Sequence, residues 1–233
     1  MKSSSRTHRS MSIANRLNTA RLAINNTLNN PALLARVEAY GYTTERIAEG
    51  QALLTTANAA VNAQRVAAGD LRRAVADLGA AELAARDRYQ ALAKIARAVF
   101  APGSPQRVAL GLDVRMPQSI SGFLSAAERM YGNALSNREL QATLGTYGFD
   151  TARLTTDYAK TAALAAALEA RGTAASAAQA ATRAQNEAIT ALVKWVGMYM
   201  KVARIALADM PEQLVSLGAA KRARPRTPKR AAV

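Results

Sequence analysis

The sequence predicts an all-α protein: an antiparallel helical bundle built from two tandem-duplicated helical-hairpin units, with basic, flexible N- and C-terminal tails. Three observations carry that prediction. Residues 43–100 and 150–208 contain no proline and are rich in Ala, Leu, Arg and Glu, the strong helix formers. Apolar residues recur at heptad spacing in the first of these stretches, at Ile47, Leu54, Val61, Ala68 and Val75, with Ala57, Leu71, Leu78, Ala85, Leu92 and Val99 at the companion positions. Finally, sliding the chain against itself by 107 residues brings two halves into register without a gap.

The matches cluster at both ends of the unit. Leu28, Asn30 and Leu33 fall on Leu135, Asn137 and Leu140; Tyr40, Gly41, Thr44 and Arg46 fall on Tyr147, Gly148, Thr151 and Arg153. Further on, Lys94, Ala96 and Arg97 meet Lys201, Ala203 and Arg204, and Gln106, Leu110 and Gly111 meet Gln213, Leu217 and Gly218. Alanine coincidences are discounted in a chain this rich in alanine; the others make the repeat. The expected organisation is a basic arm at 1–12, helical units at 13–111 and 112–218 packed as one bundle domain, and a basic tail at 219–233.

Element by element, a short helix is expected at about 12–28 and a briefer one at 31–39, with counterparts at 121–135 and 138–146. The segment YGYTTER, 40–46, then repeats as YGFDTAR, 147–153. Gly41 sits where a helix needs a left-handed C′ residue, and Thr43 sits where the next helix needs an N-cap. Tyr42 and Ile47 occupy the two positions of a hydrophobic staple, and Phe149 and Leu154 repeat them. The exchanges Tyr→Phe, Ile→Leu and Thr→Asp each keep the capping role, so the element reads as architecture rather than as a ligand site. As one helix, 43–100 would rise about 87 Å at 1.5 Å per residue. Gly69-Asp70 reads as a C′ glycine followed by an N-cap, and Gly172-Thr173 is the comparable pair, so a hairpin of two helices per unit is expected, with one continuous helix as the alternative. The linker APGSPQRVALGLDVRMPQS, 101–119, holds Pro102, Pro105 and Pro117, which argues against a regular helix there. Abundant alanine is expected to let the long helices approach closely.

The residue inventory narrows the chemistry. The chain has no cysteine and one histidine, His8, so no thiolate or histidine–carboxylate metal site assembles within it and no metal or cofactor is expected. Glu45 and Glu49 lie one turn apart, but their counterparts are Ala152 and Thr156, and the pair reads as a solvated face. The protein is expected to be non-enzymatic; an enzyme using only carboxylates, Lys or Tyr is the minor alternative. Trp195, Met198, Tyr199 and Met200 form an aromatic–Met cluster that reads as core, with a partner-binding face formed by Trp195, Met198 and Tyr199 as the functional alternative.

Charge carries the functional lead. The formal charge is +15. Lys2, Arg6 and Arg9 at one end, and Lys221, Arg222, Arg224, Arg226, Lys229 and Arg230 at the other, stand without any acid, which leaves 22 basic against 16 acidic side chains in between. The six C-terminal cations are the candidate contacts to DNA, RNA or another polyanion. No aromatic is interleaved with them, so base stacking is not indicated. The leading expectation is a helical interaction or scaffold protein acting through these tails. The alternatives are an assembly subunit that self-associates into a homo-oligomer through helix faces, and docking on anionic membrane surfaces. The most apolar segment, 188–208, is broken by Lys194, Lys201 and Arg204 and makes a poor spanning helix. A cytoplasmic location is expected, with a transit peptide as the alternative reading of the Ser- and Arg-rich start.

Overall fold

The structure, a computed structural model, describes residues 11–218. Most of the basic arm and the whole of the 219–233 tail, including all six cations from Lys221 to Arg230, lie outside the described residues. Those residues form eight helices and no strand: α1 (Ile13–Leu28), α2 (Pro31–Glu38), α3 (Thr44–Val99), α4 (Pro105–Ala109), α5 (Ile120–Ser136), α6 (Arg138–Gly145), α7 (Thr151–Ala206) and α8 (Pro211–Ser216).

Local chemistry places nearly every boundary. Ser12, Asn30, Ser104, Ser119 and Asn137 each cap the helix that follows, their side-chain oxygens accepting from a backbone N–H two or three residues on. Pro31, Pro105 and Pro211 sit in the first turn of α2, α4 and α8, where a missing N–H costs nothing. That position is why the 101–119 linker holds a short helix despite its prolines.

The YGYTTER and YGFDTAR segments are the most fully determined turns in the chain. Gly41 and Gly148 adopt φ of 82° and 78°. Around each, the Schellman pattern closes: Gly41 N–H donates to Glu38 O at 2.9 Å and Tyr42 N–H to Val37 O at 3.1 Å, while Gly148 and Phe149 N–H donate to Gly145 and Leu144 O at 3.0 and 3.1 Å. Thr43 Oγ1 accepts from Arg46 N–H at 3.4 Å and Asp150 Oδ1 from Arg153 N–H at 2.8 Å. The staple pairs Tyr42–Ile47 and Phe149–Leu154 are buried. Arg46 and Arg153, matched in the sequence repeat, also have a shared task. Each guanidinium lies over the staple aromatic, 4.7 Å from the Tyr42 centroid and 3.9 Å from that of Phe149. Each also donates to the carbonyl of the turn glycine.

The expected hairpins are not formed. Both α3 and α7 run 56 residues without a break, through Gly69-Asp70 and through Gly172-Thr173. Neither Gly69 nor Gly172 is among the glycines with positive φ. Asp70 is engaged by Arg73 at 3.2 Å, and the Ser176 hydroxyl donates to Gly172 O at 3.2 Å, one turn back in the same helix. The energetics favour continuity. A helical glycine costs about 1 kcal/mol relative to alanine, whereas a break leaves four N–H and four C=O groups to be satisfied elsewhere. Neither glycine has the Tyr/Phe staple that makes the break at Gly41 and Gly148 worthwhile.

The chain divides into two compact units. Among the described residues, one comprises 11–65 and 180–218, the other 66–179. These units do not follow the sequence repeat at 13–111 and 112–218. Unit one is made of α1, α2, the first part of α3, the last part of α7 and α8; its core includes Ile24, Leu33, Val37, Ile47, Leu192 and Tyr199. Unit two is made of α5, α6, the first part of α7, the last part of α3 and α4; its core includes Leu92, Phe123, Met130, Leu140, Leu144 and Leu154. In unit one α1 packs against α2 and α8; in unit two α5 packs against α6 and α4.

The internal correspondence is close. Bounds of α2 and α3 recur in α6 and α7 at an offset of 107. Asn26 Nδ2 donates to Ser216 O at 2.6 Å and its counterpart Asn133 to Ala109 O at 2.5 Å, clasping a short helix in each unit at equivalent positions. Between these cores the heptad seam loses its burial: Ala68, Leu71 and Leu78 are half-buried and Val75 is 50 % exposed. The alanines of 165–184 stay partly or fully exposed rather than closing a tight contact.

Continuity of the long helices makes a signed prediction. Gly69→Ala and Gly172→Ala, with no atom within 4 Å of the added Cβ, are expected to stabilise by about 0.5–1 kcal/mol each in urea titrations. Gly41→Ala and Gly148→Ala, at positive φ, are expected to destabilise by about 1–2 kcal/mol. Destabilisation by the first pair would restore the hairpins.

Candidate functional site: two unlike cores and a basic-edged cleft

In unit one the long helices meet through large side chains. Tyr42 packs on Tyr199 at 5.1 Å between ring centroids and meets Trp195 edge-on at 5.9 Å, and Trp195 stacks on Tyr199 at 5.5 Å. Tyr199 is fully buried and its hydroxyl hydrogen-bonds Thr27 of α1, whose own hydroxyl donates to Ala23 O at 2.7 Å. Gly50 makes the room: a Cβ there would lie 2.6 Å from Cζ2 of the indole. Trp195 Nε1 is buried without a hydrogen-bond partner.

The same place in unit two holds different chemistry. The counterpart of Gly50 is Asp157 and that of Trp195 is Arg88. Asp157 is 3 % exposed, and its carboxylate faces Arg88 Nε at 3.7 Å and Arg153 Nε at 3.8 Å. These are ion-pair distances too long for hydrogen bonds, and Asp157 Oδ2, Thr161 Oγ1 and Tyr131 Oη are buried without a hydrogen-bond partner. Tyr131 replaces Ile24 and packs on Tyr158 at 5.6 Å. Burial pushes the Tyr131 hydroxyl far above its usual range, and the Asp157 charge adds to the rise, against Arg88 and Arg153. Burial also raises Tyr89, opposed by Arg97 and Arg129. In unit one burial raises Tyr199, opposed by its hydrogen bond to Thr27, and raises Tyr42, opposed by Arg46.

The aromatic–Met trio of the sequence reading therefore does not form one surface. Tyr199 is core, Trp195 packs against it half-buried, and Met198 is 51 % exposed on another side of α7. Among the described residues no three His, Cys, Asp or Glu side chains gather as a metal-binding group, and no helix is long and apolar enough to cross a membrane.

An open cleft of about 450 Å³ lies in unit one between α1, α3 and α7. Its lining includes the apolar Leu17, Leu54 and Val61, the exposed Arg21 and Arg65, and the buried Gln185. Gln185 is 8 % exposed. Arg21 is held by Asn18 Oδ1 at 2.6 Å, a neutral partner. The sequence reading missed this site because its lining comes from positions far apart in the chain. Its available signals were the repeat mismatches Arg21/Glu128, Arg65/Gly172 and Gln185/Leu78. In comparison with known proteins, no family model, no curated protein and no solved structure matches this chain.

Two measurements test these cores. Gly50→Ala is expected to cost about 1–3 kcal/mol through overpacking, more than the helix-propensity gain of about 1 kcal/mol, and to shift the emission of the only tryptophan to the red. An unchanged melting temperature would remove the Gly50–Trp195 contact as a determinant. The tyrosines give a pH dependence. Their folded-state pKa values lie above the ordinary value of about 10, so the unfolded chain releases protons first, and stability is full below about pH 10 and falls as pH rises beyond it. Chemical denaturation between about pH 8 and 11.5 is expected to show that decline, shallower in Tyr131→Phe; a flat profile contradicts it.

Proposed function

We propose that this chain is a non-enzymatic helical scaffold that engages nucleic acid or another polyanion through its basic ends. The observation carrying this reading is the position of the charge. Nine cations stand in two short acid-free terminal stretches, while the intervening 22 basic and 16 acidic side chains leave that part only mildly basic. Cations clustered without acids attract phosphate chains by counterion release, a mechanism that needs no shaped pocket. Lys221, Arg222, Arg224, Arg226, Lys229 and Arg230 are the contacts assigned to this role.

Tandem duplication is part of the same proposal. It is supported by the recurrence of helix bounds, caps, glycine turns and the Asn26/Asn133 clasp at a constant offset of 107. The duplicated residues are those that make turns and clasps, which suits a framework for presenting ends. The second reading, self-association through helix faces, has weaker support. Val66, Val75 and Leu83 are exposed apolar residues of α3, but their spacing puts them on different sides of a 3.6-residue helix, and singly exposed apolar residues are ordinary.

A chain truncated after Ala220 is expected to lose at least tenfold in affinity for duplex DNA or RNA at about 0.15 M salt, and the intact chain's affinity is expected to fall steeply with added salt. Equal binding by intact and truncated chains would remove the tail from the function. Light scattering across a concentration series tests the second reading.

A further inference from the structure

The cleft of unit one combines three features, and its cationic edge and its amide have no like residue at the counterpart positions in unit two. Its wall is apolar, from Leu17, Leu54 and Val61. Its edge is cationic: Arg21 and Arg65 form no ion pair among the described residues, and no acidic side chain lines the cleft. Gln185, 8 % exposed, completes the lining from α7.

The repeat serves as an internal control. At an offset of 107, Arg21 becomes Glu128, Arg65 becomes Gly172, Gln185 is matched by Leu78, and Leu54 becomes Thr161. Positions that build the fold, such as Gly41, Arg46 and Asn26, are the same in both copies. At the cleft unit one has two cations and an amide where unit two has an acid, a glycine and a leucine. Leu78 packs against the core of unit two, but the two cations have no such framework role, because both units fold on the same caps, turns and clasps.

We infer that this cleft binds a small amphipathic anion, an apolar chain carrying a carboxylate. Its chain lies along Leu17, Leu54 and Val61, its carboxylate meets Arg21 and Arg65, and the Gln185 amide donates to a carboxylate oxygen. Charge complementarity selects the class: two uncompensated guanidiniums beside an apolar wall favour an anion with a hydrophobic body over a neutral lipid or a bare phosphate. The volume of about 450 Å³ falls within the range of small-molecule sites.

The test uses the full chain, the fluorescent anion 8-anilinonaphthalene-1-sulfonate as reporter, and decanoate, below its micelle concentration, as competitor. Decanoate is expected to displace the reporter at least tenfold more effectively than decanol. The double variant Arg21→Glu/Arg65→Gln is expected to lose at least tenfold in decanoate affinity with an unchanged helical circular dichroism spectrum, since both side chains lie at the surface. Gln185→Leu, which installs the counterpart residue, is expected to weaken binding while keeping the fold, and it carries the test alone if the double variant unfolds. Equal competition by decanol, unaltered decanoate binding in folded variants, or no displacement by decanoate each overturns the proposal.

Discussion

A continuous helix of 56 residues rises about 84 Å, and no single core serves both its first and its last turns. The rest of the structure follows from that constraint. Each long helix needs two sets of covering helices, yet the chain supplies only one pair of short helices immediately before it. The first part of α3 is covered by α1 and α2, and its last part shares a core with α5 and α6, which precede α7. Each compact unit is thereby assembled from both copies of the repeat. The short helices α4 and α8 are clasped in the same way, by Asn133 and Asn26, each in the opposite copy from the helix it holds.

Because each unit draws on both halves of the sequence, positions matched at an offset of 107 need not hold the same residues where the two long helices meet. Gly50–Trp195 and Asp157–Arg88 occupy equivalent positions and solve the same spatial problem differently. One fills the space with an indole against a bare backbone; the other fills it with a carboxylate held between two guanidiniums. Exchange of single members would be costly. An indole facing Asp157 would meet a side chain where it needs none, and an arginine facing Gly50 would lose its carboxylate. Divergence in pairs keeps each part of α3 matched to its own part of α7. Divergence at the cleft has no such partner-for-partner compensation, and that difference separates a fold requirement from a ligand requirement.

Much of the fold was legible because it is written in windows of four to six residues. Tyr42, Gly41, Thr43 and Ile47 act on each other across a single turn, as do Phe149, Gly148, Asp150 and Leu154, and their roles can be read without knowing what the helix packs against. Short-helix boundaries at Asn30 and Asn137 are equally local. Gly69-Asp70 shows the limit. Glycine before aspartate has the form of a helix stop and a helix start, but the form is decided by whether apolar neighbours reward a turn, and none do. Gln185 shows another limit: an amide on α7 becomes part of a site only when Arg21 of α1 and Arg65 of α3 are brought beside it.

The sequence by itself determined the helical class, the repeat at 107, the caps and turns at both copies of the YG element, and the concentration of positive charge at the ends. These depend on propensity, on side chains within one turn of each other and on composition, none of which needs a tertiary partner. Only the tertiary structure decided that each long stretch is one helix, that the compact units cross the repeat, that Tyr199 is core with Trp195 packed against it and Met198 exposed, and that Arg21, Arg65 and Gln185 line one cleft in unit one. The physical reason is common to the last three. Two copies with nearly the same apolar pattern offer nearly the same local energies, so the choice among pairings rests on contacts between residues more than a hundred positions apart.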